Sequence, residues 1–266
     1  MFVSFLSDYG NEDEFVGVCH GVIARRCPEA RVIDLDHAIP RHDVLAGALT
    51  LASAVGFLPA GVLLAVVDPG VGTDRRALAL RSGRGGYHLV GPDNGLLMAA
   101  AERLGGVAEA VEIGDSPERL VPTSSTFHGR DVFAPVAAAL AAGEALADLG
   151  EPVRAEELVR LELPSADPVS GGLLAHVIHR DGFGNLVLDA TPRQLEALGA
   201  PTGSVGVVCD GHRHEALVAP SFGFAPEGRL LLYEDSRGSL ALAVNRGSAA
   251  ELVGAGRGDE VLLEAP

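Results

Sequence analysis

The chain contains no lysine: all 20 of its basic residues are arginine. That absence excludes a lysine Schiff base, a lysine general base and a Walker-A phosphate loop. Cysteine is scarce. Cys19, Cys27 and Cys209 show neither zinc-ligand spacing nor a disulfide framework, and Cys19 falls in an apolar helical pattern that assigns it to a core. Positive charge is outnumbered, with 20 arginines against 36 acidic residues and a net charge of −16. Nucleic acid and anionic membrane are poor partners for such a chain, since both need basic patches. No helical segment carries His-x-x-x-His or Glu-x-x-His, and no Gly-x-Ser-x-Gly elbow occurs, so neither a metal site nor a serine nucleophile is expected. The opening MFVSFLSDYG lacks a charged n-region and meets Asp8 too soon for a signal peptide. Residues 44–67 are free of charge, but Leu58-Pro59-Ala60-Gly61 breaks the run. A helix followed by a buried strand fits it better than a membrane span. The expectation is a soluble, cytoplasmic protein.

What is present is apolar mass, 47% of 266 residues, enough for one large domain or two ordinary ones. Through about residue 150 the pattern alternates. Strands are predicted over 2–6, 31–35, 62–67, 77–80, 87–90 and 108–113. Helices are predicted from Asn11 as N-cap, with Glu14 at the capping-box position, over 43–57, over 96–104, and over the Ala-rich stretch to 142 that Gly143 ends. Such alternation implies an α/β domain with a mostly parallel sheet covered by helices. Residues 151–168, with several charges and three prolines, read as a linker. From 169 to 266 short strands separated by turns predict a smaller all-β domain, a barrel or a sandwich. One short helix there has Thr191 as cap, Pro192 at N1 and Gln194 at N3.

Polar, Gly-rich loops stand at the carboxyl ends of several strands, where open α/β sheets bind ligands. Ser7-Asp8-Tyr9-Gly10 is one and Asp68-Pro69-Gly70-Val71-Gly72-Thr73 another; Gly91-Pro92-Asp93-Asn94-Gly95 is a third. Ser125-Thr126-Phe127-His128-Gly129-Arg130-Asp131 precedes the Ala-rich helix. An Asp after a strand is usually a turn or helix cap, and Asp93 and Asp131 are assigned that role. Asp8 is balanced between cap and ligand. Asp68 leaves an apolar strand for a loop whose glycines let a ligand approach the backbone. Together with a nearby Arg and with His128 it makes a plausible acid–base set. Of the other histidines, His212 and His214 are expected in a solvated turn. Asp181-Gly182-Phe183-Gly184-Asn185 reads first as a hairpin turn, with an aromatic between glycines that also suits a planar base. Ser236-Arg237-Gly238 is a turn, or a carboxylate-binding pair if it faces a ligand.

The blocks FLSDYG, VVDPGVGTDRR, GPDNGL, STFHGRDVFAP, DGFGNL and YEDSRGSLALAVNRGSAA, in this order and spread over nearly the whole chain, resemble the S-adenosyl-L-methionine hydrolase family. Its members are also called SAM hydroxide adenosyltransferases and are relatives of fluorinase and chlorinase. The resemblance implies an N-terminal α/β domain, a C-terminal β-barrel and a homotrimer with active sites between subunits. It implies hydrolysis of S-adenosyl-L-methionine to adenosine and L-methionine by attack on ribose C5′, with no cofactor. It also implies an Asp–Arg–His set at Asp68, Arg75 and His128, with Arg75 preferred to Arg76 by its spacing from Asp68. Asp8 would then hold the ribose hydroxyls, and Asp181, Ser236 and Arg237 the methionine portion. Asn185 would bind adenine, with Phe183 beside it. One departure lies in Pro40-Arg41-His42-Asp43, where the halogenases carry an aromatic. Three other functions stay open at this point: a halide-dependent adenosyl transferase, a non-catalytic binder of adenosine or S-adenosylmethionine, and a metal-dependent hydrolase. Retention of Asp68 and His128 favours water over halide.

Overall fold

The computed structural model describes residues 1–197, 199 and 203–264; the end of the expected second domain, 265–266, lies outside the described residues. The chain forms two compact units, Met1–Glu162 and Leu163–Pro266.

The first unit runs β1 (Phe2–Ser7), α1 (Phe15–Arg26), β2 (Arg31–Asp36), α2 (Val44–Ala54), β3 (Gly61–Val66), β4 (Ala77–Ser82), β5 (Tyr87–Pro92), α3 (Met98–Arg103), β6 (Val107–Glu112), α4 (Ala134–Ala142) and β7 (Glu151–Pro152). The sheet order is β2-β1-β3-β5-β4-β6-β7. The four strands β2, β1, β3 and β5 pair in parallel, while β4, β6 and β7 pair antiparallel. The sheet is therefore mixed. Its antiparallel part begins where the short connection 83–86 joins β4 to β5, too short for the crossover that parallel pairing needs.

Both faces are covered, which is why β3 is buried at every position. Val62, Leu64 and Val66 pack with α1 and α4, in a core containing Cys19, Ile23 and Val136. Leu63, Ala65 and Val67 pack on the other face against α2 and α3, with Leu51, Leu97 and Ala101. The uncharged run 44–67 is thus a helix, a short 3-10 turn and a buried strand. Among the described residues no helix is long and apolar enough to cross a membrane.

The start of α1 departs from expectation. The helix begins at Phe15 with Glu14 as N-cap and without a side-chain cap bond, so the Asn11–Glu14 capping box does not form. Phe15 instead packs on Tyr9 and Phe127, and that aromatic cluster sets the helix entry. Ahead of α4, residues Gly129–Phe133 form one π-turn. Pro135 falls in the first turn of α4, and Gly143 ends it in the left-handed region.

The second unit holds β8 (Asp167–Val169), β9 (Gly172–Arg180), β10 (Leu186–Leu188), α5 (Pro192–Ala197), β11 (Ser204–Cys209), β12 (His212–Val218), β13 (Leu230–Glu234), β14 (Leu240–Val244), α6 (Ala249–Val253) and β15 (Glu260–Glu264). Strands β10-β14-β13-β12-β11-β15-β9 close on β10 as a seven-stranded barrel, and β8 adds to β9. Pairing is antiparallel except between β12 and β13. Leu173, Val207, Leu232, Leu242 and Val261 share its core. Closure removes the exposed strand edges of an open sheet. Thr191 and Gln194 form the expected reciprocal cap of α5. His212 and His214 lie in β12 rather than in a turn, paired with Cys209 and Val207.

Candidate active site

The position of the site follows from strand order. From β1 the chain crosses to β2 on one side, and β3 then lies on the other. The carboxyl ends of β1 and β3 therefore flank a topological switch point, where open α/β sheets bind ligands. Ser7 stands beside Val66 in register, and Asp8 N–H donates to the Val66 carbonyl at 3.3 Å. Asp8 and Asp68 thus leave adjacent strands side by side. Asn94, in the loop after β5, donates from Nδ2 to the Val67 carbonyl at 2.8 Å and accepts from Leu96 N–H at 3.2 Å. It pins the peptide from which Asp68 projects. The sequence marked that loop but gave Asn94 no task.

Asp68 and Arg75 face each other as a fork. Arg75 Nε donates to Asp68 Oδ1 at 3.0 Å, and Nη2 donates to Oδ2. Their side chains are only 6% and 8% exposed, so this is a desolvated, bidentate pair rather than a screened surface contact. Arg75 Nη2 also lies 3.3 Å from His128 Nδ1, and the guanidinium stacks over Phe133 at 5.4 Å. Arg75 Nη1 is buried without a hydrogen-bond partner among the described residues. The neighbouring Arg76 instead donates to Asp93 at 2.8 Å and to the Glu157 carbonyl at 2.6 Å.

The two titratable members are shifted in opposite senses. Burial pushes the Asp68 carboxyl above its ordinary value, against the charge and hydrogen bonds of Arg75. Burial, aided by the Arg75 charge, holds His128 below the ordinary imidazole range. A basic carboxylate beside a neutral imidazole is a proton-accepting arrangement near pH 7.

Gly72 explains how the loop carrying Asp68 meets the segment carrying His128. It sits at φ +75°, and a Cβ there would lie 2.2 Å from the Ser125 carbonyl oxygen. Only glycine permits that approach.

Asp8, Asp68 and His128 line one cleft of about 330 Å³, with Tyr9, Asp13, Phe15, Arg41, His42 and Thr126. His42 takes a left-handed φ of 65° and donates its N–H to Asp8 Oδ2 at 2.9 Å. The departure noted in the sequence is thus on the wall of this cleft. Asp13 and Phe15 were not singled out from the sequence; their closeness to the FLSDYG block was the available signal. Arg41 belongs to the Pro40-Arg41-His42-Asp43 loop already noted as a departure. Asp93 accepts from Arg76 and from Val159 N–H at 2.9 Å, and Asp131 from Arg130 and Ser124 N–H. Both clamp backbone segments, a structural role, though through longer-range contacts rather than as a turn or helix cap.

In the second unit, Asp181 organises the hairpin between β9 and β10. Its Oδ1 accepts from Phe183 N–H and Asn185 N–H, each at 2.9 Å, and Oδ2 accepts from Asn185 Nδ2 at 2.8 Å. Asn185 is buried, whereas Phe183 is 83% exposed. Phe183 and Asn185 line a hollow of about 390 Å³ with Phe222 and Asn245. Ser236 and Arg237 are exposed in the β13–β14 turn, which Asp235 holds through Arg237 N–H and Ser239 N–H. Burial first, and then the charges of Asp235 and Asp181, raise the Tyr233 hydroxyl above its ordinary value. Both turns therefore act on one tyrosine, although strand pairing places them at opposite ends of β10.

Comparison with known proteins follows the same two-part division. Residues 3–150 match the SAM hydroxide adenosyltransferase N-terminal domain, and residues 175–262 match the C-terminal domain of that family. A Salinispora tropica protein named (R)-S-adenosyl-L-methionine hydrolase is 50% identical over 99% of this chain and 98% of its own length. A Thermus thermophilus protein of the same name is 42% identical over 98% of each. A fluorinase from Actinoplanes sp. is 32% identical over 91% of this chain and 90% of its own length. The crystal structure of an uncharacterized conserved protein from Thermotoga maritima has a TM-score of 0.90 at 34% identity, covering 98% of this chain and 99% of that one. With both of its domains matched in order and relatives of this identity along its whole length, the chain belongs to the SAM hydroxide adenosyltransferase family.

Proposed function

We propose that this chain is an enzyme that hydrolyses S-adenosyl-L-methionine to adenosine and L-methionine. The observation that carries the reading is the buried Asp68–Arg75–His128 set in a switch-point cleft, on a chain half-identical to a named hydrolase. The reaction is an in-line displacement at ribose C5′. The oxygen of water forms the new bond to C5′ while the C5′–S bond breaks. Its electron pair returns to sulfur, which leaves as the neutral thioether of methionine. A sulfonium departs without a general acid, so the step calls for neither metal nor redox cofactor. The difficulty lies in the nucleophile.

Asp68 is the proton acceptor in this reading. Its raised pKa makes it a stronger base than an ordinary carboxylate, and a positioned base contributes about 10²–10⁴-fold. Arg75 has only N–H groups to offer, so the nearby Nδ1 of neutral His128 must be the accepting nitrogen, and Nε2 carries the proton. His128 then orients the attacking oxygen by donation from Nε2, while Arg75 keeps Asp68 ionised and aimed. Asp8 holds the ribose hydroxyls. Asp181, Ser236 and Arg237 take the methionine portion, and Asn185 takes adenine, with Phe183 stacking beside it.

We further propose a cytoplasmic homotrimer in which each complete site draws on two chains. Buried, unpaired Cys19, Cys27 and Cys209 fit a reducing compartment. Incubation with S-adenosylmethionine, followed by chromatography, tests the activity. Adenosine and methionine in equal amounts are expected without added halide. Product that appears only with chloride would make the chain a halide-dependent transferase. Tight binding without product would make it a binding protein.

A further inference from the structure

His20, Asp34 and His37 form a cluster that the proposed reaction does not use, and none of them lines the cleft. His20 comes from α1, Asp34 from the edge strand β2, and His37 from the residue just after β2. Each histidine presents Nε2 to the same oxygen, Asp34 Oδ1, at 2.8 Å and 3.0 Å. The three ligand atoms lie within 4.8 Å of one another. Phe5 of β1 backs both rings, at 6.1 Å and 4.7 Å between centroids. Behind His37, Nδ1 meets Ser7 Oγ at 2.7 Å in a buried contact. A hydrogen bond to the far nitrogen is the usual support of a metal-ligating histidine. The opposite side is open, with the His20 and Asp34 side chains 35% and 45% exposed.

We infer that His20 Nε2, Asp34 Oδ1 and His37 Nε2 form a binding site for one divalent zinc ion, with water in the fourth position. Two imidazoles and a carboxylate suit zinc, and three protein ligands leave a tetrahedral position for solvent. Bonds of about 2.0–2.1 Å at tetrahedral angles place ligand atoms about 3.3 Å apart, so each histidine–Asp34 pair opens by only a few tenths of an ångström. The proton count is neutral. On metal binding the His37 proton moves from Nε2 to Nδ1, where Ser7 Oγ accepts it; the His20 proton moves likewise to Nδ1. Burial raises the Asp34 carboxyl, but the hydrogen bonds from His37 and His20 outweigh it and hold the group below its ordinary value, in the ligating form. The net charge of −16 favours a cation at the surface. The ion would tie α1 to the end of β2 and to the loop carrying Asp8, since the His37 carbonyl also accepts from Gly10 N–H at 2.7 Å. It lies outside the cleft and outside the bond-making step.

Equilibrium dialysis of the full chain against micromolar Zn²⁺, with the metal counted by mass spectrometry, tests the site. One zinc per chain is expected. His20→Gln and Asp34→Asn should each lose it while far-UV circular dichroism stays unchanged. Ser7→Ala should weaken it about 10–100-fold, the usual effect of removing such a support. Asp68→Asn should retain it. X-ray absorption on the zinc-loaded native chain should show two imidazole ligands, a readout independent of any variant. No stoichiometric zinc on the native chain would overturn the inference. So would equal zinc on His20→Gln and Asp34→Asn, which would place the ion elsewhere, for example with His42 and His128 in the cleft.

Discussion

At the scale of single residues, Asp68 is held between burial, which raises its pKa, and Arg75, which lowers it. Asp68→Asn keeps the shape and removes the base. Turnover should fall about 10²–10⁴-fold while calorimetry still detects substrate binding; equal loss of both would move Asp68 from chemistry to binding. The pH profile follows from the two shifts. Asp68 acts ionised and His128 neutral, so activity is lost as pH falls through either pKa. The His128 value lies below its ordinary 6.5 and that of Asp68 above its ordinary 3.8. The higher of the two sets the acid limb of kcat/KM, which should therefore lie above the ordinary carboxylate value of 3.8. An acid limb centred below 3.8 would contradict the assignment. Arg237→Ala should instead weaken substrate and methionine by about 1.5–3 kcal/mol, the range for a hydrogen bond to a charged group, as calorimetry would read.

Asp68 and His128 could be marked as candidates from the sequence because both stand beside glycines. The geometry that joins them through Arg75 could not be read there, since the Arg75–His128 contact spans 53 residues and rests on a fold-dependent approach. Only the resemblance and a spacing argument favoured Arg75 over Arg76; the structure separates them by partner, Asp68 for one and Asp93 for the other.

At the scale of elements, Gly72 lets the 68–75 loop touch the segment before His128. Gly72→Ala should strain both the left-handed backbone and the contact with Ser125. A loss of about 1–3 kcal/mol is expected, read by urea denaturation with far-UV circular dichroism, together with reduced turnover. Native stability and activity in that variant would mean that the loops are not locked together. Elements with strong periodicity were readable. β3 announced itself as an apolar run between turn signals, and α5 through its cap. Elements made by tertiary contact were not. β7 and β8 have two and three residues, too few for any pattern, and they exist because β6 and β9 offer them a partner. The α1 capping box failed because packing of Phe15 on Tyr9 and Phe127 outweighed a local cap worth about 1 kcal/mol. The polar residues of β12 disguised a strand that lies in register with β11.

At the scale of the whole molecule, the candidate residues divide between two units, with Asp8, Asp68 and His128 in the first and Asp181, Asn185 and Ser236 in the second. The proposed trimer assembles them from different chains. Mixing inactive His128→Ala with inactive Asn185→Ala should then restore part of the activity in mixed trimers, and light scattering should give three chains per particle. An active monomer would contradict the assembly, though not the chemistry. The chemistry is tested most directly by running the reaction in oxygen-18 water and weighing the products. One label in the 5′-hydroxyl of adenosine, with none in methionine, is the predicted result. Adenosine without the label would contradict attack by water at C5′.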